Sequence, residues 1–177
     1  VILDRDGVIN KDSDSFIKNP QEWIPIPGSL EAIALLNQQG FRVAVATNQS
    51  GVSRGLFDMA TLNAIHDKMH RDLAQVGGRI DAVFYCPHSA ETNCDCRKPK
   101  PGMVKEIGKR FSVELDTVYA VGDALRDIQA FASCGCKTIL VRTGKGEETL
   151  HAAELPEHVV VVADLSEAVS YIIAATE

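Results

Sequence analysis

Six short apolar runs do most to constrain how this 177-residue chain folds. They are Val1–Leu3, Val43–Ala46, Ala82–Tyr85, Val118–Val121, Thr138–Val141 and Val159–Val162. Each is rich in Val, Ile or aromatic residues and is bounded by Gly, Asp, Asn or Pro, which is the pattern of strands buried on both faces. Amphipathic stretches separate them. Ser29 is placed to cap a helix running to about Gln39, with Gly40 as its stop. Met59 to about Val76 reads as the longest helix, ended by Gly77-Gly78. Pro101–Phe111, Leu125–Cys134 and Asp164–Ala174 follow, with Gly135 ending the second of these. The alternation predicts an α/β fold: a mostly parallel sheet flanked by helices on both faces. Such sheets bind ligands at the carboxyl ends of their strands. At about 150 residues per domain, a single domain spanning 1–177 is expected.

Composition narrows the functions available. The chain is 45% hydrophobic and 24% charged, which excludes disordered, collagen-like and coiled-coil classes. Its net charge of -6 disfavours nucleic acid and anionic lipid as partners. No stretch approaches the ~20 apolar residues of a membrane span. No signal peptide is evident, so a cytoplasmic place is expected; a monomer is the expected state. The opening Val1-Ile2-Leu3 reads as a strand already under way, so the natural chain is expected to start a few residues earlier. Five cysteines are too few and too unevenly placed for a secreted disulfide scaffold.

Two polar segments interrupt the rhythm, Gly7–Pro27 and Cys86–Lys100, and long irregular loops in a small domain are usually functional. The first strand runs into Asp4-Arg5-Asp6-Gly7. Unpaired carboxylates at a buried strand end are costly, and a hard divalent cation such as Mg2+ would account for them. An Asp-rich turn is the plainer alternative. The second strand ends in Thr47-Asn48-Gln49-Ser50-Gly51, a set of donors suited to phosphate oxygens or to a Ser/Asn turn. The fourth ends in Gly122-Asp123, with Asp127 four residues on. Asp123 suits a third metal ligand or a helix N-cap. Arg97-Lys98-Pro99 sets cations just ahead of a helix. Four signals of matching chemistry, each placed after a strand or in a loop, point to phosphate chemistry.

Cys86, His88, Cys94 and Cys96 make a Cys3His set within eleven residues. Soft thiolates and imidazole suit Zn2+, and a set saturated by protein reads as structural. A disulfide pair or free thiols are the alternatives. Cys134 and Cys136 read as small packing residues. His66 and His70 read as a solvated or structural pair, since no third ligand accompanies them. Trp23, Phe16 and Phe57 read as loop packing. Gly144-Lys145-Gly146 resembles a fragment of a phosphate loop, but the rest of that motif is missing.

Asp4-Arg5-Asp6-Gly7-Val8-Ile9-Asn10, Thr47, Lys98 and Gly122-Asp123 through Asp127 resemble the four ordered motifs of the haloacid dehalogenase-like phosphatases. The match spans about Val1 to Gly144. It implies a Rossmann-like sheet, an essential Mg2+ and phosphoryl transfer through an aspartyl-phosphate. Asp4 would be the nucleophile, and Asp6 the general acid and then the general base. Lys98 would stabilise the transferring charge, and Thr47 with the Asn48 amide would hold phosphoryl oxygens. Asp4, Asp123 and the Asp6 carbonyl would hold Mg2+, with Asp127 positioning Lys98 or a metal-bound water. The gaps after Gly7 and Gly51 are too short for a cap domain, so the capless type with a zinc loop is implied.

Cys-x-His…Cys-x-Cys-Arg-Lys-Pro with Thr-Asn-Gln is similar to the branch of heptose-bisphosphate and histidinol-phosphate phosphatases. Ser50 through Gly55 and Pro99 through Met103 lean toward the heptose side, with removal of the C7 phosphate as the implied reaction. Ala124 departs from that side, which often has a basic residue there; Arg126 is the candidate to compensate. A phosphorylated sugar is the implied substrate. Asp12, Ser13, Asp14 and Ser15 are expected to line its site, with Asn48, Gln49, Ser50, Arg54 and Arg97. Other readings are a histidinol-phosphate phosphatase, a polynucleotide 3′-phosphatase or a non-catalytic sugar-phosphate binder.

Overall fold

The computed structural model describes residues 1–176. All six predicted strands form: β1 Ile2–Leu3, β2 Ala44–Asn48, β3 Ala82–Cys86, β4 Tyr119–Gly122, β5 Lys137–Val141 and β6 Val160–Val162. They make one sheet in the order β3-β2-β1-β4-β5-β6, and every adjacent pair is parallel. The chain first steps from β1 to one side and then restarts beside β1 on the other. The crevice between β1 and β4 is therefore the topological switch point, where ligands bind in open α/β sheets.

The helices are α1 Ser29–Gln38, α2 Met59–Gln75, α3 Gly102–Phe111, α4 Leu125–Ser133, α5 Gly146–Leu150 and α6 Leu165–Ala174. Side chains alternate across a strand, and this splits the core in two. Leu3, Val45, Val121, Ile139 and Val141 face one layer, where Leu30 and Ile33 of α1, Ile65 and Met69 of α2, and Val169 and Ile172 of α6 cover them. Ile2, Ala44, Ala46 and Ala120 face the other, against Met103, Val104 and Ile107 of α3 and Phe131 of α4. Buried on both faces, these strands read as apolar runs in sequence.

Two local expectations change. Ser29 is not the cap of α1. The cap is Gly28, at φ 83°, while Ser29 lies inside the helix and donates its hydroxyl to the Ile9 carbonyl at 2.6 Å. That bond ties the long 7–28 loop to the helix start. The second change is α5, a short helix just after Gly144-Lys145, which has too few residues to show a periodic pattern. The other helix ends fall within a residue or two of the sequence reading. Asp58 and Asp164 serve as the side-chain caps of α2 and α6. Among the described residues, no helix is long and apolar enough to cross a membrane.

Candidate active site

The carboxyl ends of β1, β2 and β4 and the 86–101 loop meet over the switch point. Asp4 follows β1, Thr47 lies in β2 and Asp123 follows β4. Lys98 reaches in from the loop and is 1% exposed. Its ammonium lies 2.9 Å from Asp4 Oδ1 and 2.8 Å from Asp127 Oδ1, and donates to the Ala46 carbonyl at 2.7 Å. Two carboxylate oxygens and one carbonyl surround the ammonium, so its direction is fixed. Asn48 clamps the same stretch of chain: its side-chain amide donates to the Lys98 carbonyl and accepts from the Lys98 N–H, both at 3.0 Å. The Asn48 side chain is therefore structural, which leaves its backbone N–H as its only group for phosphate.

Asp127 Oδ2 accepts from the backbone N–H groups of Asp123 and Ala124. Its other oxygen faces the Lys98 ammonium, so Asp127 is shared between Lys98 and the start of α4, close to Asp4 and Asp123. Those contacts and Lys98 hold its carboxyl below the usual carboxylate range. Asp123 is placed differently. Its Oδ2 accepts from the Lys145 N–H at 2.8 Å, while Oδ1 is buried without a partner. Burial and the charge of Asp127 push Asp123 up to about 9 and Asp4 up to about 7. Three buried carboxylates around one ammonium leave excess negative charge in a dry site. A divalent cation answers that excess, so the donor set fits Mg2+.

Asp123 is held in a collar. A Cβ on Gly7 or on Gly144 would collide with its carboxylate, so only glycine fits at either position. Both also lie at positive φ, 85° and 58°. Thr143 closes the collar by donating to the Gly7 carbonyl at 2.6 Å. The Gly144-Lys145 loop thus does take part in the site, through Asp123.

Asp6 carries two donors on each oxygen. Arg5 Nε and Asn10 Nδ2 reach Oδ1, both at 2.9 Å; Arg5 Nη2 and Gln49 Nε2 reach Oδ2 at 3.1 and 3.0 Å. The Arg5 guanidinium and these amides hold its carboxyl below the ordinary value, against the opposing effect of burial. Gln49 also donates to Thr47 Oγ1 at 2.9 Å. Its side-chain nitrogen is thus committed to two site residues, while Gln49 itself lines the cleft.

The cleft above these groups has a volume of about 210 Å³. Asp12, Ser13, Asp14, Asn48, Gln49, Ser50, Arg54 and Arg97 line it, as do Asp4, Asp6, Thr47 and Lys98. Ser15 does not. It is exposed on the far side of its turn, where its amide bonds Ser13 Oγ and its carbonyl takes Lys18 Nζ. Three residues outside the expected set do line the cleft: Phe16, Arg126 and Lys145. Phe16 adopts φ 65°, which turns it away from loop packing, and Arg54 lies over its ring. Trp23 is buried, as loop packing requires. Arg126, the residue expected to compensate for Ala124, is thus placed on the cleft between Asp123 and Asp127 in sequence. A wider open trough of about 750 Å³ adjoins the cleft and shares Asp12, Ser13, Asp14 and Lys145 with it.

At the loop, the thiols of Cys86, Cys94 and Cys96 and Nδ1 of His88 converge. Cys86 lies 3.0 Å from Cys96 and 3.6 Å from Cys94, and Cys94 and Cys96 are 3.5 Å apart. His88 Nδ1 is 3.5 Å from Cys86 and 3.4 Å from Cys96. The cysteines are free thiols, not a disulfide. This spacing suits four ligands around one ion with bonds of about 2.0–2.3 Å, so the set fits Zn2+. Arg97 donates to the His88 carbonyl, and Gly102 lies so close to the Asp95 carbonyl that a Cβ would strike it. The cluster, Arg97 and Lys98 are therefore one packed unit.

Comparison with known proteins agrees with this geometry. The family described as HAD-hydrolase-like matches residues 95–168. The chain is 60% identical, over 94% of its length and 93% of the relative's, to the D-glycero-beta-D-manno-heptose-1,7-bisphosphate 7-phosphatase of Bordetella bronchiseptica. It is 51% identical, over 97% of its length and 93% of the relative's, to the protein of that name from Neisseria meningitidis. Among solved structures, D,D-heptose 1,7-bisphosphate phosphatase from B. bronchiseptica, complexed with magnesium and phosphate, superposes with a TM-score of 0.97 at 56% identity. That match covers 99% of this chain and 98% of the other. The Burkholderia thailandensis enzyme superposes at 0.79 with 51% identity, over 98% and 97%.

Proposed function

This chain belongs to the haloacid dehalogenase-like phosphatases, within the heptose-bisphosphate branch, and from that premise we propose how its residues work. The reaction is hydrolysis of the phosphate ester at C7 of D-glycero-D-manno-heptose 1,7-bisphosphate. We assign the β anomer, which the relatives' names specify. The observation that carries the mechanism is Lys98, wholly buried and shared between Asp4 and Asp127.

Asp4 is the nucleophile. Lys98 and the Arg5 N–H both bind its Oδ1, so Oδ2 is the oxygen we assign to attack phosphorus. Lys98 then faces the charge that builds on the phosphoryl oxygens. Thr47 Oγ1 and the Asn48 N–H hold those oxygens. Asp4, Asp123 and the Asp6 carbonyl would hold Mg2+, whose positive charge offsets the repulsion between carboxylate and phosphate. Asp6 rests as an anion under its four donors, which is the form that activates water against the aspartyl-phosphate. An approaching phosphate dianion is a like charge and raises its proton affinity, which suits it to protonate the leaving alkoxide first.

Arg54, Arg97, Arg126 and Lys145 ring the cleft and would receive the second phosphate and the sugar; Arg126 supplies the cation that Ala124 lacks. Zn2+ on Cys86, His88, Cys94 and Cys96 would be structural, fixing the loop that carries Arg97 and Lys98. Cys94→Ala should lower activity by loosening that loop, and full activity in zinc-free protein with Mg2+ present would sink this role. In this reading the chain is one domain acting as a monomer. Zinc thiolates and a sugar-phosphate substrate support a cytoplasmic place in heptose supply for lipopolysaccharide or related glycans.

The test is phosphate release with Mg2+ from the heptose bisphosphate and from histidinol phosphate. Much faster release from the bisphosphate, lost in Asp4→Asn, is expected. The reverse preference would overturn the substrate reading but not the mechanism.

A further inference from the structure

One buried titratable side chain has no part in the mechanism above. His66 in α2 is 7% exposed, while His70, one turn on, is exposed, so the two are not a pair. His66 Nε2 lies 3.1 Å from Nη1 of Arg5. Arg5 is itself 0% exposed, and its other guanidinium nitrogens grip Asp6. A guanidinium only donates, so Nε2 of His66 must accept and its proton must sit on Nδ1. The ring is neutral; burial and the Arg5 charge push its pKa down to about 3, in keeping with that tautomer.

The geometry matters because a fully buried guanidinium has few ways to be satisfied. An N–H left unpaired there is costly, the more so on a charged group, and would free the fork to turn. Held by His66 behind and Asp6 in front, the fork is fixed in one plane. Arg5 also stands between the nucleophile and Asp6 in the chain, and its carbonyl accepts from Val8, Ile9 and Asn10, which shapes the turn below Asp6.

We propose that His66 is a positioning residue for the reaction: a neutral ring that fixes Arg5, which in turn holds the Asp6 carboxylate in place for proton transfer. This rests on the reading of Asp6 as the acid–base group. It assigns work to a helix packed behind the sheet, away from the substrate cleft.

The test compares His66→Gln, which keeps an acceptor, with His66→Leu, which removes it. His66→Leu should lower kcat on the order of 10–100-fold with KM within about twofold, as loss of an outer supporting contact does. His66→Gln should recover most of the rate. Should the leucine variant fail to fold, His66→Asn replaces it, since its shorter amide falls short of Arg5; it should behave as leucine would. In an Asp6→Asn background, His66→Leu should add less than about twofold to the loss. A merely structural role would repeat its full loss there and would spare the split between kcat and KM. Unchanged kcat in His66→Leu, or no recovery in His66→Gln, overturns the proposal. If Asp6→Asn keeps the parent rate, the acid–base reading fails first and the proposal with it; if Asp6→Asn is inactive and His66→Leu is not impaired, only the proposal fails.

Discussion

The floor of the site and its rim are built in opposite ways. On the floor, Asp4, Lys98, Asp123 and Asp127 are buried, and backbone N–H groups and one shared ammonium hold them in place. On the rim, Asp14 and Arg54 are exposed, and Asp12, Ser13, Phe16 and Arg97 are half-buried on loops with few cross-links. The floor inherits its precision from parallel strands whose register the core fixes. The rim takes its shape from turns. Rigid floors suit chemistry that must be reproduced to a fraction of an ångström, and loop rims suit recognition of a particular substrate. On that division, floor substitutions should strike kcat or metal affinity, and rim substitutions should strike KM for one substrate class.

The largest effect is expected at Lys98. Lys98→Met should lower kcat by about 10²–10³-fold, since it removes a fixed charge aimed at the transferring phosphoryl group. It also leaves Asp4 and Asp127 facing each other in a buried site, a cost of about 3–5 kcal/mol that urea unfolding should register. A variant with normal kcat and raised KM would place Lys98 with the rim and break the division.

Next comes the collar. Gly144→Ala drives a Cβ into the Asp123 carboxylate at a residue with positive φ. Mg2+ affinity, read by calorimetric titration, should fall on the order of 10–100-fold, and KM at saturating Mg2+ should change little. An unchanged affinity would mean that the Gly144 loop yields and that Asp123 is not held by it.

Mg2+ affinity should also depend on pH. In the metal-free chain Asp4 is raised to about 7 and Asp123 to about 9. Below those values the folded site carries protons that must leave before a cation binds. Affinity therefore rises with pH from about 6 to about 9, by at most tenfold per pH unit for each proton released, and flattens above. Titrations at pH 6, 7 and 8 that return one affinity would refute the charge excess on which the metal reading rests.

The same division explains what could be read from sequence. Strands and helices were legible because apolar periodicity reports burial directly, and Asp4, Thr47 and Asp123 because each stands at or near a strand end; Lys98 was legible from the cation pair it makes with Arg97 in the loop ahead of α3. The Cys3His set was legible because its four donors lie within eleven residues. What escaped was carried by distant pairs. Asp6 and Arg5 are adjacent, but His66 reaches Arg5 across 61 positions. Thr143 meets Gly7 across 136, so Gly144-Lys145 gave no sign of its role. At Ser15 and Phe16 the sequence marks no turn, yet Phe16 at φ 65° lines the cleft and Ser15 is exposed outside it, the reverse of the expected pattern.

That reversal supplies the smallest and most discriminating prediction. Arg54 is exposed over Phe16, so solvent screens whatever charge it offers, and about 0.5–1 kcal/mol is a fair upper range for its hold on a phosphate. Arg54→Ala should raise KM for the bisphosphate by a few-fold and leave kcat unchanged. KM for a simple monophosphate ester should not move, since such a substrate has no second phosphate to lose. Phe16→Ala should act through the same contact, releasing Arg54 from its ring, and the double variant should cost little more than either single one. Ser15→Ala, on the outer side of the turn, should change neither constant by as much as twofold. Steady-state kinetics on the two substrates reads all four variants. A Ser15 effect larger than that of Phe16 would mean that the turn presents its other face to the sugar.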